Sequence, residues 1–258
     1  MSQHFEPRHQ ATSPYPAYVE PVNGLRPRAF PFYIVCDVSQ SMWAPRPDGK
    51  PAPFDYLAPC VREMLFELEA DDPEVSEAAH VSIIAFHDRA ELVLPLTRPC
   101  NANEVPALPK GGQTNYAHVF ETLRPLIDAD CARLERDHRR KTPVVFFVTD
   151  GNPYVGQAPQ PLDVWLPPRD RLVDRSAPYP AHVVAMGFGE VMEQTLCQVA
   201  TEFRGHKLAY VAVDGHEAAK LVADIVESIC ISITASVTGP DFAIYVPGSM
   251  RQVRCESL

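Results

Sequence analysis

The sequence predicts an α/β fold: a doubly wound, mainly parallel six-stranded sheet with one antiparallel edge strand and helices on both faces. Three observations predict it. Two unbroken apolar runs, Phe32–Cys36 and Val144–Val148, read as strands buried on both faces. Segments of helical period alternate with these and with later strand-like runs, which favours crossover connections and parallel pairing. A short turn, His87-Asp88-Arg89, joins two strand-like runs and marks a hairpin at one edge. At 258 residues and 46% hydrophobic, the chain is large enough for one such domain with extensions. We place the domain at 31–238, after a Pro-rich N-terminal arm (1–30) and before a C-terminal tail (239–258) that reads as irregular.

Taken in order, the first strand covers 31–37. A proline-stiffened insert, 43–53, follows; Trp43 and Arg46 in it either shape a binding face or pack under the loop. Leu57, Val61, Met64, Leu65 and Leu68 then repeat at helical spacing from Phe54 to about Ala70, and Asp71-Asp72-Pro73 ends that helix. His80–Phe86 is the second strand and Ala90–Leu94 its antiparallel edge partner. After the loop Lys110-Gly111-Gly112-Gln113-Thr114, with Thr114 at a plausible N-cap, a helix begins near Asn115. It buries Tyr116, Val119, Phe120, Leu123 and Ile127, with a kink at Pro125. The Pro-rich stretch 155–180 holds two short helices, near 162–165 and 169–173. A strand at 181–186, a helix at 192–199 and a strand at 208–213 come next. Residues 217–237 read as a helix, although the β-branched half from Ile229 also suits a strand; helix is the preferred reading.

Composition excludes several function classes. The formal charge of −10 argues against nucleic acid or an anionic membrane as the main partner. No run of 18 or more apolar residues occurs, so no membrane span is expected. The N-terminal segment MSQHFEPRHQATSPYP lacks an apolar core and predicts no secretory signal. Seven scattered cysteines, with no C-x-x-C pair, read as reduced core thiols of a cytoplasmic protein rather than a disulfide frame or zinc site. His80, His118 and His182 read as structural or surface residues. Gly187 and Gly189 suit a tight strand-to-helix turn more than an anion loop.

The chemistry gathers at strand ends. Asp37, Ser39 and Ser41 follow the first buried strand at every second position, so an extended chain would point all three one way. A turn that merely caps the next helix is the competing reading of that stretch. Asp150 follows the second buried strand. In an open parallel sheet both aspartates would face the crevice at the strands' carboxyl ends. Carboxylates and hydroxyls without nitrogen or sulfur suit a hard cation, Mg²⁺ before Zn²⁺.

Asp37-x-Ser39-x-Ser41, the Gly111-Gly112 loop leading to Thr114, and Thr149-Asp150-Gly151 together resemble the metal-ion-dependent adhesion site of von Willebrand factor A (vWA) domains. Any one part is a weak signal; the three in order are specific. The resemblance implies metal ligation by Asp37, Ser39, Ser41, Thr114 and Asp150, with Mg²⁺ as cofactor and Mn²⁺ or Ca²⁺ as substitutes. It also implies a protein partner that presents Asp or Glu to the metal. Pro95-Leu96-Thr97, Thr149–Pro153, Val183–Gly189 and Ile231–Val237 make the segment from Pro31 to Val237 similar to the TerY-like, tellurium-resistance-associated subfamily. That similarity implies a cytoplasmic bacterial scaffold in a stress response, alongside a PP2C-type phosphatase and a protein kinase. Gln40 stands where the family commonly has Gly, which adds bulk beside the site without removing a ligand.

The expected function is therefore a non-enzymatic, metal-dependent binding module. A hydrolase using Asp37 or Asp150 to activate water is the alternative, although no general base or cationic transition-state stabiliser recurs near the three stretches. The motifs G-x-S-x-G, H-E-x-x-H and the P-loop are all lacking. A metal-free structural subunit is the third reading.

Overall fold

The computed structural model describes residues 26–46, 48–70, 72–102 and 106–255. Most of the predicted N-terminal arm therefore lies outside the described residues. The strands of the main sheet are β1 (Arg28–Asp37), β2 (Ala79–Phe86), β3 (Ala90–Thr97), β4 (Val144–Thr149), β5 (His182–Gly187), β6 (Ala209–Ala212) and β7 (Met250–Gln252). They lie in the order β7-β6-β5-β4-β1-β2-β3, and a two-residue eighth strand, Arg139–Arg140, pairs in parallel with the start of β1. The helices are α1 (Gln40–Trp43), α2 (Pro53–Ala70), α3 (Pro73–Ala78), α4 (Tyr116–Asp137), α5 (Leu162–Val173), α6 (Glu193–Val199) and α7 (Ala218–Thr238).

Pairing is parallel from β6 through β5, β4 and β1 to β2. Both edges are antiparallel: β3 pairs with β2, and β7 pairs with β6. Among the described residues the sheet thus has eight strands rather than the expected six, and two antiparallel edges rather than one. The additional edge comes from the tail, where Met250, Arg251 and Gln252 bond to Ala212, Val211 and Tyr210.

Chain direction explains how the helices are distributed. From β1 the chain moves through α2 and α3 to β2 on one side. It then returns through α4 to β4 on the other side of β1, and continues through α5 to β5 and α6 to β6. Right-handed crossovers in opposite directions put their helices on opposite faces. Accordingly α2, α3 and α7 pack together, and α4 packs with α5. Between these layers β1, β2 and β4 are buried on both faces, as the unbroken apolar runs of β1 and β4 require. Phe86, Tyr116, Phe120, Phe147 and Trp165 form an aromatic cluster under α4 and α5, with ring centroids 4.9–6.4 Å apart.

Several local expectations change. The helical reading of 217–237 holds: α7 is one helix, and its Ser228 and Ser232 hydroxyls bond back to the carbonyls of Ile225 and Ser228. That local bonding lets buried serines sit in a core helix. Among the described helices α7 has the length and apolarity to cross a membrane, but Leu221, Val222, Ile225, Ile229 and Ile233 are buried inside the fold. Asn115, not Thr114, caps α4: its side chain accepts from His118 N–H at 3.2 Å. The two short helices expected near 162–173 are one, α5, which carries Pro167 and Pro168 within it.

The thiol expectation is also corrected. Cys197 and Cys255 form a disulfide, with Cα atoms 5.7 Å apart, and the other five cysteines are outside any disulfide. The bridge ties Cys255, just after β7, to α6.

Candidate metal centre

β1 is the strand from which the chain departs in both directions, so the topological switch point lies between β1 and β4. Their register sets Cys36 beside Val148, which brings Asp37 and the Thr149-Asp150-Gly151 corner together at the sheet's carboxyl edge. Asp37 is wholly buried and Asp150 is 8% exposed.

The loop between them arranges the hydroxyls. Ser39 is extended, with φ −65° and ψ 173°, and α1 starts at the next residue. Ser41 therefore sits in a helical turn, not in the extended chain that the spacing suggested. Its hydroxyl nonetheless lies 3.2 Å from that of Ser39 and donates to Asp150 Oδ1 at 2.8 Å. Asp37 Oδ1 accepts the Ser39 N–H at 2.9 Å, and Asp37 Oδ2 accepts the Thr149 hydroxyl at 2.6 Å. Asp37, Ser39, Ser41 and Asp150 thus form one hydrogen-bonded group.

Thr114 reaches the site by a different route. Its backbone makes a two-way bridge with Tyr154, N–H to O at 3.0 Å and O to N–H at 2.9 Å. Its hydroxyl lies 3.9 Å from the point where a side chain on Gly151 would begin, which places it beside the residue that follows Asp150. The glycine loop that delivers Thr114 is anchored at both ends. Gly111 N–H donates to Val38 O at 3.1 Å, Gln40 N–H donates to Gly112 O at 3.2 Å, and the Trp43 indole donates to Gly111 O at 2.9 Å. On the hairpin side, Asp88 accepts the Gly112 N–H at 2.8 Å. A Cβ at Gly111 would fall 2.0 Å from the His87 ring, so only glycine permits this approach. Trp43 thus braces the loop, and Lys110 lies over its ring.

Two residues of the site escaped the sequence reading. Thr149 belongs to the Thr149-Asp150-Gly151 motif without a role assigned to it, yet its hydroxyl both donates to Asp37 and receives the Gly151 N–H at 3.2 Å. Tyr116 was assigned to the core stripe; it is buried, and its hydroxyl donates to Gly151 O at 2.9 Å. A polar residue closing a buried strand was the available signal for Thr149; Tyr116 opens α4, and nothing local marks its hydroxyl. Gly187 and Gly189 form the tight turn expected of them: Gly189 has φ +68°, and the next residue, Glu190, donates its N–H to Asp150 O at 3.1 Å.

Burial raises both carboxyls above the ordinary aspartate range. At Asp37 the neighbouring Asp150 charge adds to the effect, while hydrogen bonds from Ser39 and Thr149 oppose it. At Asp150 the Ser41 hydroxyl is the main opposing influence. Among the described residues no Lys, Arg or His forms an ion pair with either. Two buried carboxylates without a cation, ringed by hydroxyl oxygens, fit a hard divalent ion in donor type and charge. Among the described residues no cluster of three or more His, Cys, Asp or Glu offers a softer site.

The family model for the von Willebrand factor type A domain matches residues 32–152, from β1 to just past Asp150. That segment, which holds all five candidate ligands, is similar to the von Willebrand factor type A domain. No curated protein sequence matches it. Solved structures share the fold at low identity. Proximal thread matrix protein 1 from the mussel byssus, solved with a zinc-occupied adhesion-site motif, is 15% identical with a TM-score of 0.54. That match covers 81% of this chain and 49% of the mussel chain. A von Willebrand factor type A protein from Catenulispora acidiphila is 15% identical with a TM-score of 0.54, over 82% of this chain and 47% of that one. The open conformation of the pilus adhesin SpaC from Lactobacillus rhamnosus GG has a TM-score of 0.59 at 13% identity, over 83% and 31%. The chain thus spans half or less of the length of these vWA-like structures.

Proposed function

We propose that this chain carries a vWA domain that acts as a metal-dependent protein-binding module. Asp37, Ser39, Ser41, Thr114 and Asp150 would hold Mg²⁺, directly or through water. The observation that carries the reading is the buried Asp37–Asp150 pair, linked through Ser39, by its backbone N–H and hydroxyl, and the Ser41 hydroxyl, and lacking a cationic partner among the described residues. Bound there, the ion supplies a Lewis-acidic position for an outside carboxylate, because neutral hydroxyl ligands leave much of its charge uncompensated. The chain's own residues do the rest. Thr149 and the Ser39 N–H fix the Asp37 carboxylate, Ser41 fixes Asp150, and the Trp43-braced loop sets Thr114.

Mg²⁺ is preferred to Zn²⁺ on donor type, since all five side chains offer oxygen. The zinc found in the mussel protein's motif makes Zn²⁺ the competitor to exclude. The chain is proposed as a non-enzyme: Asp37 and Asp150 are each committed to hydrogen bonds within the site. The finer reading, a bacterial TerY-like stress scaffold with phosphatase and kinase partners, rests on the sequence resemblance alone. So does a cytoplasmic location, against which the Cys197–Cys255 disulfide weighs.

Affinity capture from a lysate, with Mg²⁺ or with EDTA, tests the reading. A partner should be retained only with Mg²⁺ and lost with Thr114→Ala, which removes one neutral oxygen and no charge. A partner complex that survives both EDTA and Thr114→Ala moves the binding surface elsewhere. Phosphoester or peptide hydrolysis that vanishes with Asp37→Ala makes the protein an enzyme.

A further inference from the structure

A cleft of about 560 Å³ opens directly from the site, with Ser41 and Asp150 forming one end of its wall. It crosses the carboxyl ends of β5 and β6 toward β7, over an apolar floor that includes Phe188, Val191 and Leu221. Its size falls within the range of ligand-binding pockets. Two guanidinium groups from unrelated segments line it: Arg46, just after α1, and Arg251, on β7. Their convergence runs against the overall charge of −10.

Arg251 pairs with Glu193 and is half exposed, and Arg46 contacts Asp48 at 3.4 Å, also at the surface. Such exposed pairs contribute little, so an incoming carboxylate can replace Glu193 or Asp48 at small cost. Glu193 and Asp214 also line the cleft. The two arginines balance these two acids and leave the charge of Asp150, which a bound cation would offset. A cation held by the site would thus make the cleft receptive to acid.

We propose that this cleft reads a second acidic side chain, so that the partner segment carries two: one for the metal, and one for Arg251 and Arg46. This rests on the metal-site reading. An extended segment spans roughly 3.3 Å per residue, so the second acid lies a few residues from the first. Arginine suits the role because its planar donors meet a carboxylate in two-point contact.

The test uses fluorescently labelled, capped Ala/Gly peptides carrying either one Glu or two, the two spaced about two to five residues apart. With Mg²⁺, one spacing should bind about five- to tenfold more tightly than the single-Glu peptide. The combined Arg46→Gln, Arg251→Gln variant should lose that preference while keeping its affinity for Mg²⁺ and for the single-Glu peptide. Glu193→Gln, which frees Arg251, should enlarge the preference, a gain that misfolding cannot produce. No preference at any spacing, or one that persists without both arginines, overturns the cleft proposal alone. Single-Glu binding that is unchanged in EDTA overturns the metal reading beneath it, and no Mg²⁺-dependent binding of either peptide overturns both.

Discussion

Thr149 donates its hydroxyl to Asp37 across the seam between β1 and β4, at 2.6 Å. The bond joins the two strands at the point where the chain's winding direction reverses, and it aims one carboxylate of the site. Thr149 is wholly buried. Thr149→Val keeps the shape and removes the donor, so Asp37 loses one partner in a dry setting. We expect about 1–3 kcal/mol lower stability of the metal-free protein and roughly 10- to 100-fold weaker metal binding. Denaturant melts and metal titrations of the variant measure the two losses separately.

The apo protein should weaken as pH rises. Burial raises the Asp37 and Asp150 carboxyls in the folded state, and the Asp150 charge adds to the effect at Asp37. The unfolded chain ionises them near pH 4. Above that value the unfolded state gives up protons that the native state still holds, so stability falls until the native groups have ionised as well. Asp150→Asn removes one charge and the repulsion, so it should flatten this slope and leave the EDTA-treated fold as stable or more so. Melting curves from pH 4 to pH 8 in EDTA check it; a large loss of apo stability would make Asp150 a structural hub.

His80 acts in the opposite direction. Burial depresses its pKa to about 4, because charging the ring there strips it of water, and the Ala78 carbonyl only partly compensates. The unfolded chain takes up that proton near pH 6.5, before the native state does. His80 therefore makes the fold lose stability between about pH 6.5 and pH 4, by up to roughly 3 kcal/mol. His80→Gln should reduce that acid sensitivity in melts with metal present.

The fold was legible wherever burial acted on a whole element. Phe32–Cys36 and Val144–Val148 had to be strands because both faces are covered. β7 left no such trace, since three residues on an edge, two of them exposed, show no period. Asp72-Pro73 was read only as a stop, yet the Asp72 side chain accepts from Glu74 N–H and starts α3 with proline in its first turn. The disulfide joins cysteines 58 residues apart, a relation fixed by where β7 docks and by nothing local. In the site the ligand types and their order were plain. The route by which Ser41 reaches Asp150, through a helical turn, was not.

Cysteine chemistry gives an independent check. Denatured without reductant, the protein should titrate five thiols, and seven after reduction. Cys255→Ser should lower stability by about 2–4 kcal/mol, the usual range for a bridge closing a loop of this length. Seven thiols before reduction would remove the disulfide and restore the expectation of a reducing compartment.

The glycine loop should tolerate no side chain at its tightest point. Gly111→Ala sets a methyl against the His87 ring and forces the loop from Val38 and Trp43. Metal affinity should fall about tenfold or more, as for other losses of support behind a ligand, with the melting temperature moving only a few degrees. Unchanged metal binding would separate the loop from the site.

Calorimetric titration of Mg²⁺ into metal-stripped protein decides whether Asp37 and Asp150 hold an ion. One site per chain is expected in the wild type, with Mg²⁺ or Mn²⁺ bound more readily than Zn²⁺, and no site in folded Asp150→Asn. A folded wild type that binds no divalent ion, or an Asp150→Asn variant that binds as the wild type does, would contradict that assignment.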